Sequence, residues 1–355
     1  MTPSGQCDDS AVSVNRTAAP THFGRCAGWL GATVILLSLH SFANAAAAEA
    51  REPAGALRPI GGSASRRPKT RAIPAQLLTI AQQAALDRAG FSPGLIDGAI
   101  GPKTRLALRA FQRSRGLPVS GAFDARTAAA LGIDREPATV TYRVTTADVR
   151  QIGPVPTDWN AKSALSRLGY ESMAALLAER GHCTKATLSR INGGRNMSRI
   201  RAADTVLLPN IETSTDPPRA ALIEVDLSRK LIVAKDGRSR VVGLFHCSIA
   251  KHPGRRPSGA AAVRTIAHDP EYTFDPRMWP KVRNVRRKLT IPPGPRNPVG
   301  VCWIGLSLPG YGIHGTPAPE LIGKTGSHGC IRLTNWDAVR LSRMIAVGTP
   351  VRFTR

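Results

Sequence analysis

The chain has 355 residues, 42% of them hydrophobic and 21% charged, a balance that excludes a disordered polymer and leaves room for two or three domains. Lys and Arg number 49 against 24 Asp and Glu, so the net charge of +25 favours a polyanionic neighbour. One stretch alone approaches a membrane span in length, which excludes a polytopic membrane protein, and six Cys are too few for a disulfide-built scaffold.

In chain order, the first feature is Arg25 followed by the apolar run Ala27 to Leu39 and a small-x-small site at Ala43 and Ala45. This pattern predicts a secretory signal peptide over residues 1–45, cut after Ala45 or slightly later. An uncleaved anchor is the other reading, because no Asp, Glu, Lys or Arg occurs from Cys26 to Ala48. Either reading exports the chain to the periplasm or cell wall, and with the leader cut it is expected to be peripheral to the membrane at most. Nucleic acid is then not the expected partner. The charge reflects either an Arg-rich solvated surface or attraction to an anionic envelope polymer. Residues 46–73, rich in Ala, Pro, Gly, Ser and Arg, read as a flexible linker.

From residue 74 the pattern turns helical. Leu77, Leu78, Ile80, Ala81, Ala84, Leu86 and Ala89 form one apolar face, Pro102 opens a second helix, and Asp124 caps a third near Ala125 to Leu131. Asp97-Gly98, Gly101-Pro102, Thr104, Ala107, Phe111-Gln112, Gly116-Leu117, Gly121 and Thr127 resemble the signature of the peptidoglycan-binding-domain-1 family. Residues 74–133 are therefore expected to form a small three-helix peptidoglycan-binding domain. Residues 140–211 read strand, helix (Ser172 to Glu179), helix (Lys185 to Ile191), strand (Val206 to Asn210). This order resembles an α+β lysin-motif domain, with a long insertion around Pro154 to Leu168. Glycan binding and a plain spacer role both stand.

A polar segment with Pro217-Pro218 marks a boundary, and residues 220–355 change character. Alternation from Ala221 to Ala234 with the Asp236-Gly237 turn predicts a β-hairpin. Further strands are expected at Arg240 to Phe245, Val299 to Gly305 and Pro350 to Phe353, with one helix at Trp336 to Ile345. The domain should be mostly β, and the whole chain multidomain.

The chemistry concentrates in Ser327-His328-Gly329-Cys330-Ile331-Arg332-Leu333 and in Ile313-His314-Gly315-Thr316, where His314 lies sixteen residues before Cys330. A thiol with an imidazole able to take its proton is the minimal equipment for nucleophilic acyl transfer. The backbone N–H groups of Gly329 and Cys330 are candidates for an oxyanion site. His314, His328 and Cys330 are also zinc-type donors, although a His-x-Cys pair lacks the two-residue spacer of thiolate-rich zinc sites.

These two motifs, with Pro292-Pro293-Gly294-Pro295, Asn297-Pro298-Val299-Gly300, Tyr311-Gly312 and Ile322-Gly323, resemble the L,D-transpeptidase catalytic domain of bacterial cell walls over about residues 220–354. The resemblance implies Cys330 as the acylated nucleophile and His314 as general base. It implies Ser327, His328 and Gly329 as supporting or oxyanion residues, and Arg332, Gly315 and Tyr311 as substrate-binding residues. The implied substrate is a peptidoglycan tetrapeptide stem that loses D-Ala to form a thioester. The acceptor is a second stem, water, a D-amino acid or a protein Lys. No metal or nucleotide cofactor is implied. A disulfide among Cys183, Cys247 and Cys302 remains open.

Overall fold

A computed structural model describes residues 75–355 apart from Ser214 and His328. The signal segment at 1–45 and the linker at 46–73 lie outside the described residues. Among those described, no helix is long and apolar enough to cross a membrane.

The first segment carries three helices, α1 (Ala75–Arg88), α2 (Pro102–Ser114) and α3 (Ala125–Leu131). Two buried glutamines explain why the turns between them need their residues. Gln83 accepts from the N–H groups of Asp97 and Gly98 and donates to the Asp97 carboxylate at 2.9 Å. Gln112 accepts from Gly121 N–H and donates to Ser120, Ala122 and Thr127. Gly121 has φ +71°, in the left-handed region that favours glycine. Asp124 caps α3 through Thr127 N–H at 2.8 Å.

The second segment contains β1 (Thr139–Arg143), α4 (Thr146–Val149), α5 (Trp159–Ser163), α6 (Met173–Arg180), α7 (Lys185–Ile191) and β2 (Thr205–Pro209). β1 and β2 pair antiparallel, closing a small two-stranded sheet beneath α6 and α7. The insertion noted in the sequence contains α5, which periodicity did not signal because it is only five residues long.

The third segment is the curled sheet. Its strands are β3 (Leu222–Asp226), β4 (Leu231–Lys235), β5 (Val241–His246), β6 (Ala260–His268), β7 (Tyr272–Phe274), β8 (Leu289–Ile291), β9 (Cys302–Leu306), β10 (Gly312–His314), β11 (Ile331–Arg332) and β12 (Pro350–Thr354), with α8 (Asn335–Met344) between the last two. Eight of them form one sheet in the order β11-β10-β9-β6-β12-β3-β4-β5. β7 and β8 leave it as a separate two-stranded flap. Ile223, Val225, Phe245, Val263, Ile304, Ile313, Ile331 and Leu341 build the core between the sheet and α8.

The expected multidomain, helical-then-β architecture is what the chain forms. Some boundaries differ from expectation. The run Ala221 to Ala234 breaks into two strands that turn at Leu227 to Lys230, where Lys230 has φ +55°. Asp236-Gly237 makes the next turn, with Asp236 accepting from Arg238 and Arg240 N–H. β9 starts at Cys302 rather than Val299, because Asn297 folds back to accept from Val299 N–H. Cys183, Cys247, Cys302 and Cys330 are all free thiols.

Candidate active site

β10 runs between β9, its antiparallel neighbour, and β11, its parallel neighbour. Register pairs Ile313 with Ile331 and His314 with Arg332. Side chains alternate across a strand, so the fully buried Ile313 and Ile331 face the core. Gly312, His314, Cys330 and Arg332 therefore share the opposite face. That alternation places Cys330 and His314 on one face of paired strands from positions sixteen residues apart.

His314 is buried, and its ring stacks on Trp303 of β9 at 5.6 Å and 22°. The Trp303 ring lies across Gly312, where a Cβ would stand 2.5 Å from it. Gly312 is thus required for the stack. The imidazole Nδ1 lies 2.6 Å from the Gly315 carbonyl. A carbonyl only accepts, so Nδ1 carries the hydrogen and Nε2 keeps its lone pair. Burial takes His314 down to about 4, with Arg332 pushing the same way and the Gly315 bond opposing. Gly315 is fixed in turn by donating to Cys302 O at 3.0 Å, and Asn335 Oδ1 stands 2.3 Å from where its Cβ would be.

Cys330 is half-buried immediately before β11, with its thiol 3.6 Å from Gly310 O. Burial raises its pKa, while the Gly312 N–H and the Arg332 charge pull it back. Ser327 Oγ donates to Cys330 O at 2.5 Å, and Ser327 N–H donates to Ile249 O at 2.8 Å. Ser327 thereby ties the Cys330 loop to the strand end after β5. The half-buried Arg332 guanidinium donates to Gly326 O, and among the described residues it forms no ion pair. Tyr311 OH donates to Arg255 O at 3.1 Å, and its ring edge stands 3.9 Å from where a Gly329 Cβ would be. His328 lies outside the described residues. Among them, no group of three His, Cys, Asp or Glu side chains has a metal-holding arrangement.

One contributor lay outside every motif, Trp303 behind His314, while Gly312, which stood in one, also turns its N–H toward Cys330.

A buried imidazole with one nitrogen committed to a carbonyl, on the same strand face as a thiol, is equipment for acyl transfer. The L,D-transpeptidase catalytic domain matches residues 220–353, and a peptidoglycan binding domain matches residues 79–131. YkuD of Bacillus licheniformis, named as an L,D-transpeptidase, is 30% identical over 172 residues, covering 48% of this chain and 87% of the relative. YqjB of Bacillus subtilis, named likewise, is 36% identical over 122 residues, covering 33% of this chain and 61% of the relative. A crystal structure of an L,D-transpeptidase from Xylanimonas cellulosilytica aligns at 16% identity and a TM-score of 0.31, covering 78% of this chain and 92% of that one. The chain belongs to the L,D-transpeptidase family and carries a peptidoglycan-binding domain.

Proposed function

We propose that the protein is an exported envelope enzyme that forms 3→3 cross-links in peptidoglycan through an acyl-enzyme on Cys330. One observation carries this reading: Cys330 and His314 share a face of adjacent parallel strands while Nδ1 of His314 is committed to the Gly315 carbonyl. In the first step His314 Nε2 takes the thiol proton. The sulfur attacks the carbonyl of the third stem residue, and the tetrahedral oxyanion is met by the N–H groups of Gly329 and Cys330. The C–N bond to D-Ala then breaks, Nε2 gives its proton to the departing amine, and a thioester remains. In the second step Nε2 takes a proton from the acceptor amine. The amine attacks the thioester, and the Cys330 thiolate leaves and is reprotonated. Arg332, without an ion-pair partner among the described residues, offers its remaining N–H groups to a stem carboxylate. Peptidoglycan is thus both ligand and substrate.

The test is mass spectrometry of products from disaccharide tetrapeptide, with Cys330→Ala as control. A cross-linked dimer lacking one D-Ala, absent in the control, is the expected result. Tripeptide alone would make water the acceptor and the enzyme an L,D-carboxypeptidase. No conversion by reduced protein would reject the enzymatic reading.

A further inference from the structure

His314 is oriented by a backbone carbonyl, so its aim depends on what holds that carbonyl still. Gly315 is anchored on one side by donating to Cys302 O at 3.0 Å. On the other side stands Asn335, the first residue of α8 and 2% exposed. A Cβ on Gly315 would collide with Asn335 Oδ1, and a Cβ on Gly300 would meet both Asn335 Oδ1 and the Gly315 backbone. The Asn335 amide therefore sits directly against the peptide whose oxygen receives His314 Nδ1–H. Val301 N–H donates to Asn335 Oδ1 at 3.3 Å, which fixes the amide's orientation and leaves Nδ2 to donate.

Asn335 Nδ2 donates to Glu179 Oε1 at 2.8 Å and to Pro295 O at 3.3 Å. Glu179 belongs to α6 of the middle segment, a helix capped by Ser172 and held in its own core by Leu176 and Leu177. Its second oxygen, Oε2, accepts from Arg296 Nη1 at 3.3 Å. The same Nη1 donates to Pro317 O at 3.0 Å. One carboxylate thus reaches both ends of the loop 315–317, through Asn335 at Gly315 and through Arg296 at Pro317. The Glu179 and Arg296 side chains are each only 11% exposed, so solvent does little to screen the pair. Arg296 is held further by Glu171 at 2.8 Å and lies over the Tyr170 ring at 5.1 Å, both from the middle segment.

We propose that Glu179 is a positioning residue for the acyl transfer: from the middle segment it braces the loop 315–317, keeping the Gly315 carbonyl on His314 Nδ1 and Nε2 free as base. The inference rests on the acyl-transfer reading for its kinetic readout alone. A carboxylate that served only to join the segments would affect unfolding and leave the imidazole where it is. A carboxylate that braces the loop governs the imidazole itself.

The experiment compares the wild-type protein with Glu179→Ala and Glu179→Gln by ¹⁵N NMR of labelled histidine and by steady-state kinetics on disaccharide tetrapeptide. The His314 Nδ1–H signal, identified by its absence from His314→Gln, should be shifted downfield in the wild type by its bond to the Gly315 carbonyl. In Glu179→Ala it should be lost to exchange with water. At the same time kcat should fall roughly 10- to 100-fold while KM stays within about twofold, because the displaced group acts in the transition state rather than in binding. Glu179→Gln still accepts from Asn335 through its amide oxygen, and should restore the signal and most of kcat. An unchanged signal in Glu179→Ala, or a lost signal with unchanged kcat, would overturn the proposal, and so would a Gln variant as impaired as the Ala one. If Glu179→Ala fails to fold, Asn335→Ala, which leaves the Glu179–Arg296 pair whole, is read by the same criteria. The NMR signal needs no turnover, so a protein inactive on the stem would reject the proposed reaction while the signal decides the positioning role on its own.

Discussion

At the residue scale, the site holds a thiol pushed up and an imidazole pushed down. Their environments thus favour the neutral pair at neutral pH rather than a resting thiolate–imidazolium pair. Above about pH 5 His314 is already neutral, so further deprotonation belongs to Cys330. The rate of Cys330 alkylation by a small neutral reagent should therefore keep climbing beyond pH 9, the ordinary thiol value, with no plateau near neutrality. A plateau already reached at pH 6 would show a preformed ion pair and contradict the burial argument. The thiol and its histidine were legible in the sequence because each sits in a short motif and strand alternation brings both to one face. The group that orients His314 was not legible. It is a backbone carbonyl, and carbonyls have no residue identity.

At the scale of elements, α8 is where the three segments meet. Asn335, the first residue of α8, donates to Glu179 of α6 at 2.8 Å and packs against Gly315 behind the site. Trp336 stacks on His182 at 4.7 Å, and Arg340 pairs with Asp87 of α1 at 3.1 Å. Asp337 accepts from Ser92 Oγ at 3.0 Å, while its other oxygen has no partner. Against the burial that pushes it up, His182 and Arg340 pull Asp87 down to about 2. Asp337 goes the other way, up to about 6, through burial and then the Asp87 charge, with Arg340 and His182 opposing. An acid whose folded pKa is raised holds its proton in the native state while the unfolded chain has lost it. Its contribution to stability therefore declines as pH rises from about 4 through 6. Asp337→Asn removes this titration. Its advantage over the wild type should be absent near pH 4 and complete by pH 7, at most about 3 kcal/mol. Denaturant unfolding at the two pH values measures it, and an advantage independent of pH would refute the assignment. No helix-periodicity argument reaches this junction. The sequence predicts a helix at Trp336 to Ile345, but an Asp on it reads as an ordinary polar position until Asp87 and His182 arrive from elsewhere. β6 escaped for the opposite reason: its Ala-rich run carries little strand propensity, and its place in the middle of the sheet comes from neighbours on both sides.

At the scale of the whole molecule, the helical segment does not hang from the catalytic sheet as a separate module. β5 is the last strand of that sheet, and the stretch after α1 pairs with its outer edge. Ser92 N–H donates to Leu244 O at 2.8 Å, and Leu244 N–H donates to Gly90 O at 3.0 Å. Phe91 and Phe111, in edge-to-face contact at 5.5 Å, share a core with Leu231 and Leu244 of β4 and β5. Lys103 of α2 donates to Ile322 O at 2.6 Å, steadying the loop that leads to Ser327. An exposed edge strand invites association with other chains, and a covering element removes that hazard. Cutting at residue 220 would uncover the β5 edge together with Leu231 and Leu244, each worth about 1.5–3 kcal/mol of burial. A fragment of residues 220–355 should therefore associate in light scattering and melt below the 75–355 protein. The longer protein should unfold in one calorimetric transition, since its segments share cores. Two or more separated transitions, or a monomeric fragment of equal stability, would show that the modules are independent. The distinction bears on function. A tethered binding module only raises the concentration of stems near the thiol, whereas a module fused to the β5 edge also fixes the angle at which a bound strand meets the site. On the proposed function, the orientation of a bound strand, and not merely its proximity, would then be part of what this chain's architecture contributes to acyl transfer.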